Sequence, residues 1–225
     1  MLISEQASQL STFTVAERRL IGRLRTPHLV QLFLNRLPYN TEPPPRGDSL
    51  RSLRQVLRHG KAHCLEAALA AACILEQHGY PILVMSLASV DKLDHVIFVY
   101  RHRGRWGSIA RSRDPGLHGR KPVFRSLRAL AESYCDPYID YTGALTGYAL
   151  YDLRGMGAFD WRLSRRNVWA VERVLLRIRH KKIKRSGKRV RRLRAQYRTY
   201  LKKHNKKPLY YSCREKWTPI PKDFL

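Results

Sequence analysis

The sequence predicts an α+β domain in which one buried helix packs on an antiparallel sheet. Two observations lead to this prediction. The segment from residue 63 to residue 77 is nearly apolar all round, as expected of a helix at the centre of a domain. Short apolar segments separated by turn residues follow it, which is typical of an antiparallel meander. With 225 residues, 44% of them hydrophobic, the chain is long enough to bury a sizeable core.

Three shorter helices are predicted ahead of the central one. Thr14 can cap the first, because Glu17 stands three residues later, as a capping box requires. Pro27 begins the second, whose leucines recur on one face. These helices are predicted within residues 14–37 and over residues 49–59, with a proline-rich loop at 42–48 between them.

The central helix and the sheet are predicted next. The helix runs from about His63 to Gln77, and Gly79 ends it. Three strands are expected over residues 82–87, 95–101 and 105–110, the last two joined by a hairpin turn. A helix at 126–134 and a hairpin-like pair of strands within 140–152 complete a predicted domain over residues 1–160.

Residues 161–225 form a second predicted unit, a basic and mainly helical extension. They contain 23 of the 44 Lys and Arg residues. Apolar or aromatic residues recur every seven positions from Trp169 to Tyr197, which indicates a narrow helical seam, interrupted at Ser186-Gly187. Either this seam docks on the domain and the charges form a solvated face, or the extension binds a polyanion.

The charge balance favours a polyanionic neighbour. The net charge of +27 and the isoelectric point of about 10.7 indicate a negatively charged binding partner, such as RNA, DNA, an anionic lipid or an acidic protein. No zinc-finger spacing, aromatic RNA-binding run or clear helix-turn-helix is present. Any nucleic acid would therefore be bound through its backbone, with strong salt dependence.

The cysteines and the ends of the chain predict a soluble, cytoplasmic protein. The four cysteines are widely spaced and form no CxxC pair, which favours a reducing compartment. No signal peptide or transmembrane segment is recognised. Cys73 and Cys135 are interpreted as core packing.

Cys64 and His95 are the candidate reactive pair. Cys64 stands where a turn gives way to the central helix, and His95 follows 31 residues later in an apolar strand. The positive end of a helix and a nearby imidazole both lower the pKa of a thiol, which is a good nucleophile only as a thiolate. The alternative is that Cys64 is a small buried hydrophobe and His95 a core histidine.

With Trp106 on the strand after His95, the chain resembles the transglutaminase-like cysteine peptidase superfamily over residues 25–155. The segments that carry the resemblance are RHGKAHCLEAA (58–68), DHVIFVY (94–100) and GRWGSIARSRDPG (104–116). The resemblance implies a papain/transglutaminase-like core and a protein or peptide substrate, with no cofactor. Cys64 would attack an amide or ester carbonyl, and His95 would take the thiol proton and return it to the leaving group.

The third member of such a site is where the chain departs from the family. The family places an Asp about four residues after the strand tryptophan, and Ala110 stands there. Asp114 is the nearest carboxylate and is the predicted third catalytic residue, which would orient the imidazole. The equal alternative is that the site has no acidic third member, and Ser108 or Ser112 could then orient the imidazole without charge. Loss of a charged orienter costs orders of magnitude in rate. The alternative function is therefore an impaired scaffold that binds nucleic acid or another polyanion through its extension.

Three further interpretations concern the neighbours of Cys64. His63 is expected to point away from Cys64, because adjacent helical residues point about 100° apart. Glu66 is interpreted as a first-turn charge that the helix dipole favours. A metal site made of His63, Cys64 and His95 matches no common zinc spacing, so no metal is expected.

Overall fold

The computed structural model of the protein describes residues 12–41, 49–140 and 142–203. Within these ranges the chain forms one six-stranded antiparallel sheet of order β4-β3-β2-β1-β5-β6, with helices on both faces. The strands are β1 (Leu83–Ser89), β2 (His95–His102), β3 (Arg105–Ile109), β4 (Arg120–Phe124), β5 (Leu145–Asp152) and β6 (Lys181–Lys182).

The described helices are short except for the central one and the last. They are α1 (Val15–Arg23), α2 (Pro27–Arg36), α3 (Leu53–His59), α4 (Cys64–Glu76), α5 (Leu127–Ser133), α6 (Cys135–Tyr138), α7 (Trp169–Arg177) and α8 (Gly187–Lys203). No helix in the described ranges is long and apolar enough to cross a membrane.

Alternation along the central strands separates two cores. On β2, Phe98 faces the core that contains α4, while Ile97 and Val99 face the core that contains α5 and α6. Every side chain from Leu65 to Leu75 is buried, so the predicted central helix is confirmed. The antiparallel α+β architecture is confirmed with it.

The predicted starts of the first two helices are also confirmed. Thr14 and Glu17 form the reciprocal capping box of α1, and Pro27 is the first residue of α2. Helix α3 begins later than predicted, at Leu53, because the Ser52 hydroxyl caps it. The predicted loop at 42–48 lies outside the described residues.

Two sheet predictions are wrong. Residues 140–152 contain one strand, β5, rather than a hairpin pair, because Asp140 accepts hydrogen bonds from the Thr142 and Gly143 amides in a turn before the strand. Strand β4 was not predicted, because Arg120, Lys121 and Pro122 interrupt the apolar pattern that indicates a strand. Proline is tolerated there because β4 lies at the edge of the sheet.

The segment after residue 160 packs against the sheet and the core that contains α4. Trp161 is fully buried in the core of α4, and β6 pairs with β5. The seven-residue seam is not one surface, because α7 and α8 are separate helices and Leu176 is 64% exposed. The domain boundary near residue 160 stays a prediction.

Candidate active site

Cys64 is the first residue of α4 and is partly exposed, while the residues from Leu65 to Leu75 are buried. Its thiol therefore lies at the positive end of a 13-residue helix, which favours the thiolate. This is the position that the sequence predicts.

His63 caps this helix with its side chain. The imidazole Nδ1 accepts a hydrogen bond of 3.2 Å from the Leu65 amide, and Nε2 donates to the Ser49 carbonyl over 3.0 Å. The prediction that His63 points away from Cys64 is wrong, because its ring lies close enough to the Cys64 thiol to interact with its charge. Burial disfavours the charged ring, but the Cys64 thiolate and the Glu66 carboxylate outweigh burial and raise the pKa of His63 to about 9. Protonation places a proton on Nδ1, so the bond that Nδ1 accepts from the Leu65 amide belongs to the neutral ring.

Glu66 lies in the first turn of α4, where the sequence analysis interpreted it as a charge that the helix dipole favours, and its carboxylate is fully buried. It accepts hydrogen bonds from the His63 amide (2.9 Å), the Arg51 amide (3.0 Å) and the Asn40 side chain (3.0 Å). One carboxylate therefore joins the helix start to two segments that precede it in the chain.

The imidazole of His95 is held in one orientation. Its Nε2 lies 2.9 Å from the Leu117 carbonyl oxygen, and its ring centroid is 5.9 Å from that of Tyr134. A carbonyl only accepts, so Nε2 carries the proton in the neutral ring. Nδ1 is then the nitrogen that can take a proton, and His95 lines the same cavity as Cys64, where it lowers the pKa of the thiol.

The thiols differ sharply in acidity. Burial alone would raise the pKa of Cys64, but hydrogen bonds and charge from His63 and His95 lower it well below its ordinary value. Burial raises the pKa of Cys73 well above the ordinary value and that of Cys135 to about 11. Cys64 is thus the acidic thiol among these three.

Asp114 supports the turn beside His95. Its Oδ1 accepts from the Gly116 amide over 2.8 Å, and its carbonyl accepts from the Leu117 amide over 2.9 Å. The oxygen that receives His95 Nε2 is the Leu117 carbonyl, so the predicted direct orienting role passes to the main chain.

The serines considered as alternative orienters have other contacts. The Ser108 hydroxyl lies 2.7 Å from the Tyr134 hydroxyl and accepts from the Arg120 amide. The Ser112 hydroxyl accepts from the Asp114 amide. Both serines therefore act on the surrounding framework of the site.

Tyr39 is a site residue that the sequence analysis missed. It lines the same cavity as Cys64, and the Arg113 guanidinium lies 5.0 Å from its ring centroid. Burial and the Cys64 thiolate raise the pKa of Tyr39 far above its usual value, so the phenol is neutral. Only a tyrosine after Pro38 is visible in the sequence, and nothing local links it to Cys64.

Cys64 and His95 line a cavity of about 320 Å³. Three of the 17 acidic residues line it, although the chain as a whole is strongly basic; they are Asp91, Asp94 and Asp140. Across the described residues, no group of three or more His, Cys, Asp or Glu side chains is arranged to hold a metal ion.

Comparisons with known proteins leave the family open. No family model and no curated protein matches the chain. The similar solved structures include LapG of Legionella pneumophila, with 15% identity and a TM-score of 0.38, and its calcium-bound form, with 14% identity and a TM-score of 0.36. The matches cover 69% and 77% of this chain and 91% and 97% of those chains. Because both TM-scores are below 0.5, no conclusion is drawn from this likeness.

Proposed function

We propose that the protein is a thiol-dependent hydrolase or acyltransferase of the transglutaminase-like class, acting on an amide or isopeptide bond of a protein or peptide. The observation that carries the proposal is a cysteine at the start of a buried helix that shares one cavity with His95, whose Nε2 donates to the Leu117 carbonyl. The fold proposed for this chemistry is a papain/transglutaminase-like core.

In the first half of the reaction, the Cys64 sulfur attacks the carbonyl carbon. A C–S bond forms, and the negative charge moves to the carbonyl oxygen. His95, protonated at Nδ1 by the thiol, gives that proton to the departing amine as the C–N bond breaks. The product is an acyl-thioester on Cys64, which water hydrolyses or an amine captures.

The developing oxyanion needs hydrogen-bond donors. The Cys64 amide at the start of α4 is the main-chain donor beside the thiol. Tyr39 lines the same cavity as Cys64 and His95, so its side chain lies next to the place where a substrate carbonyl must enter.

Asp114 contributes through the main chain. Its carboxylate holds the turn Pro115–Leu117, whose last carbonyl orients His95. A carbonyl supplies a dipole rather than a full charge, so it stabilises an imidazolium less than a carboxylate does. We therefore assign Asp114 a positioning role.

The test uses p-nitrophenyl acetate, an activated ester that reports acylation before a natural substrate is known. The expected result is a burst of p-nitrophenol stoichiometric with the protein and an acetyl group located on Cys64 by peptide mapping. Cys64→Ser abolishes the burst, whereas Cys213→Ser, the matched removal of another thiol, keeps it. An undiminished burst in the Cys64→Ser variant would refute the proposal, and the absence of a burst in the wild-type protein would favour the impaired-scaffold alternative.

A further inference from the structure

Helix α8 presents a long cationic face. Residues 177–203 contain 14 Lys and Arg residues and no Asp or Glu. Among the α8 side chains whose burial the structure describes, Leu193, Tyr197 and Tyr200 are buried. The exposed cations of the helix outside its contact with Asp136 are Lys188, Arg191, Arg192, Arg198, Lys202 and Lys203; they are called the α8 face below.

The helix is fixed to the body by its inner side. Asp136 forms ion pairs with Arg185, just before α8, and with Arg189 in its first turn. Arg194 donates to the Thr142 carbonyl over 2.8 Å. These contacts hold the helix in place, while the α8 face points to solvent.

We propose that the α8 face binds the sugar-phosphate backbone of a nucleic acid. The 17 residues of α8 span about 25 Å at 1.5 Å per residue, which is long enough to follow several phosphates. Arginine, half of the α8 face, forms bidentate hydrogen bonds with phosphate. So many like charges on one rigid helix repel one another, and a polyanion relieves that repulsion.

The apolar side of α8 argues against a lipid surface as the ligand. A helix that lies in a membrane interface inserts its apolar side chains among the lipids. Leu193, Tyr197 and Tyr200 are instead buried against the protein. The α8 face is thus purely charged and polar, which matches contacts to phosphates rather than to acyl chains or bases.

The experiment compares two quadruple variants of the full chain that lose the same charge. The first carries Lys188→Gln, Arg191→Gln, Arg192→Gln and Lys202→Gln on the α8 face. The control carries Arg19→Gln, Arg23→Gln, Arg36→Gln and Arg125→Gln at exposed positions elsewhere. Binding to fluorescein-labelled 20-base-pair DNA and RNA duplexes is followed by fluorescence anisotropy from 50 to 200 mM NaCl. Circular dichroism and the thermal transition establish that each variant is folded.

The expected result is a dissociation constant at least tenfold weaker in the α8-face variant than in the control at 100 mM NaCl. The slope of log affinity against log salt should also fall by about 3.6, since each lost phosphate contact removes about 0.9 on B-DNA. Comparison of the two duplexes identifies which nucleic acid is preferred. Equal weakening in both variants would mean that net charge alone matters, and would overturn the proposal. Binding of wild-type protein to phosphatidylglycerol vesicles but to neither duplex would overturn it too.

Discussion

The cleft around Cys64 and the α8 face use charge in opposite ways. The cleft contains three carboxylates, and its reactive groups are fixed by hydrogen bonds from several segments of the chain. The α8 face carries six exposed cations on one helix. Chemistry in the cleft therefore depends on the position of single atoms, whereas binding on the α8 face depends on how many charges are present. Single substitutions should damage the first, and salt should damage the second.

The largest expected contrast is the response to salt. Raising NaCl from 50 to 200 mM should weaken binding of a DNA duplex by about a thousandfold if all six cations of the α8 face contact phosphates. The labelling pKa of Cys64 should hardly change, because buried partners are screened little by salt. Both quantities are measured on one preparation by anisotropy and by iodoacetamide labelling. Equal salt sensitivity of the two would remove the contrast.

Glu66→Ala should produce the largest loss of stability from a single change. The substitution leaves the His63 and Arg51 amides and the Asn40 side chain without their buried acceptor. We expect the free energy of unfolding, measured in urea, to fall by about 3–5 kcal/mol. The matched control Glu132→Ala removes an exposed carboxylate paired with Arg128 and should cost less than about 1 kcal/mol. A similar loss in both variants would contradict the role of Glu66.

Two substitutions of Asp114 distinguish its role in holding the turn from a role of its negative charge. Asp114→Ala should slow labelling of Cys64 at pH 7 by about tenfold to a hundredfold, because the turn that carries the Leu117 carbonyl loosens. Asp114→Asn should retain most of the rate, because its amide oxygen can still accept from the Gly116 amide. Equal impairment of the two variants would show that the charge of Asp114 matters, as the sequence analysis predicted.

The smallest expected effect concerns the attachment of α8. Burial opposes ionisation of Asp136, but hydrogen bonds from Arg189 and Arg185 prevail and hold its pKa below the ordinary 3.8. A lowered pKa adds stability that is present above about pH 3.8 and is lost as the pH falls through the lowered value. Asp136→Asn should therefore cost about 1 kcal/mol at pH 7 and clearly less at pH 2, as measured by urea unfolding. A cost that is the same at both pH values would mean that the charge is not involved.

Much of the fold could be predicted because its signals are local. The capping box of Thr14 and Glu17, the apolar helix after Cys64 and the alternation in β2 each lie within one short segment. Strand β4 was not predicted, because Lys121 and Pro122 are uncommon in strands and β4 accommodates them as an edge strand. The hairpin predicted at 140–152 does not form, because β5 pairs with β1, a strand that lies far earlier in the sequence.

The candidate site could be predicted only in part for a related reason. Cys64 and His95 could be predicted because a thiol and an imidazole are reactive side chains. The Leu117 carbonyl belongs to the main chain, so no residue type in the sequence indicates its role. Tyr39 reaches Cys64 only through the tertiary fold. Burial of Glu66 was missed because its partners Asn40 and Arg51 come from separate segments.

The most direct test of the account is the pH dependence of iodoacetamide labelling at Cys64, resolved by peptide mapping and compared with His95→Ala. We expect a labelling pKa well below the ordinary value of about 8.5 in the wild-type protein and a clear rise when the imidazole is removed. Cys73 and Cys135 should remain slow at neutral pH, because burial raises the pKa of both thiols. A labelling pKa near 8.5 that is unchanged in His95→Ala would contradict the claim that these two residues form a reactive pair.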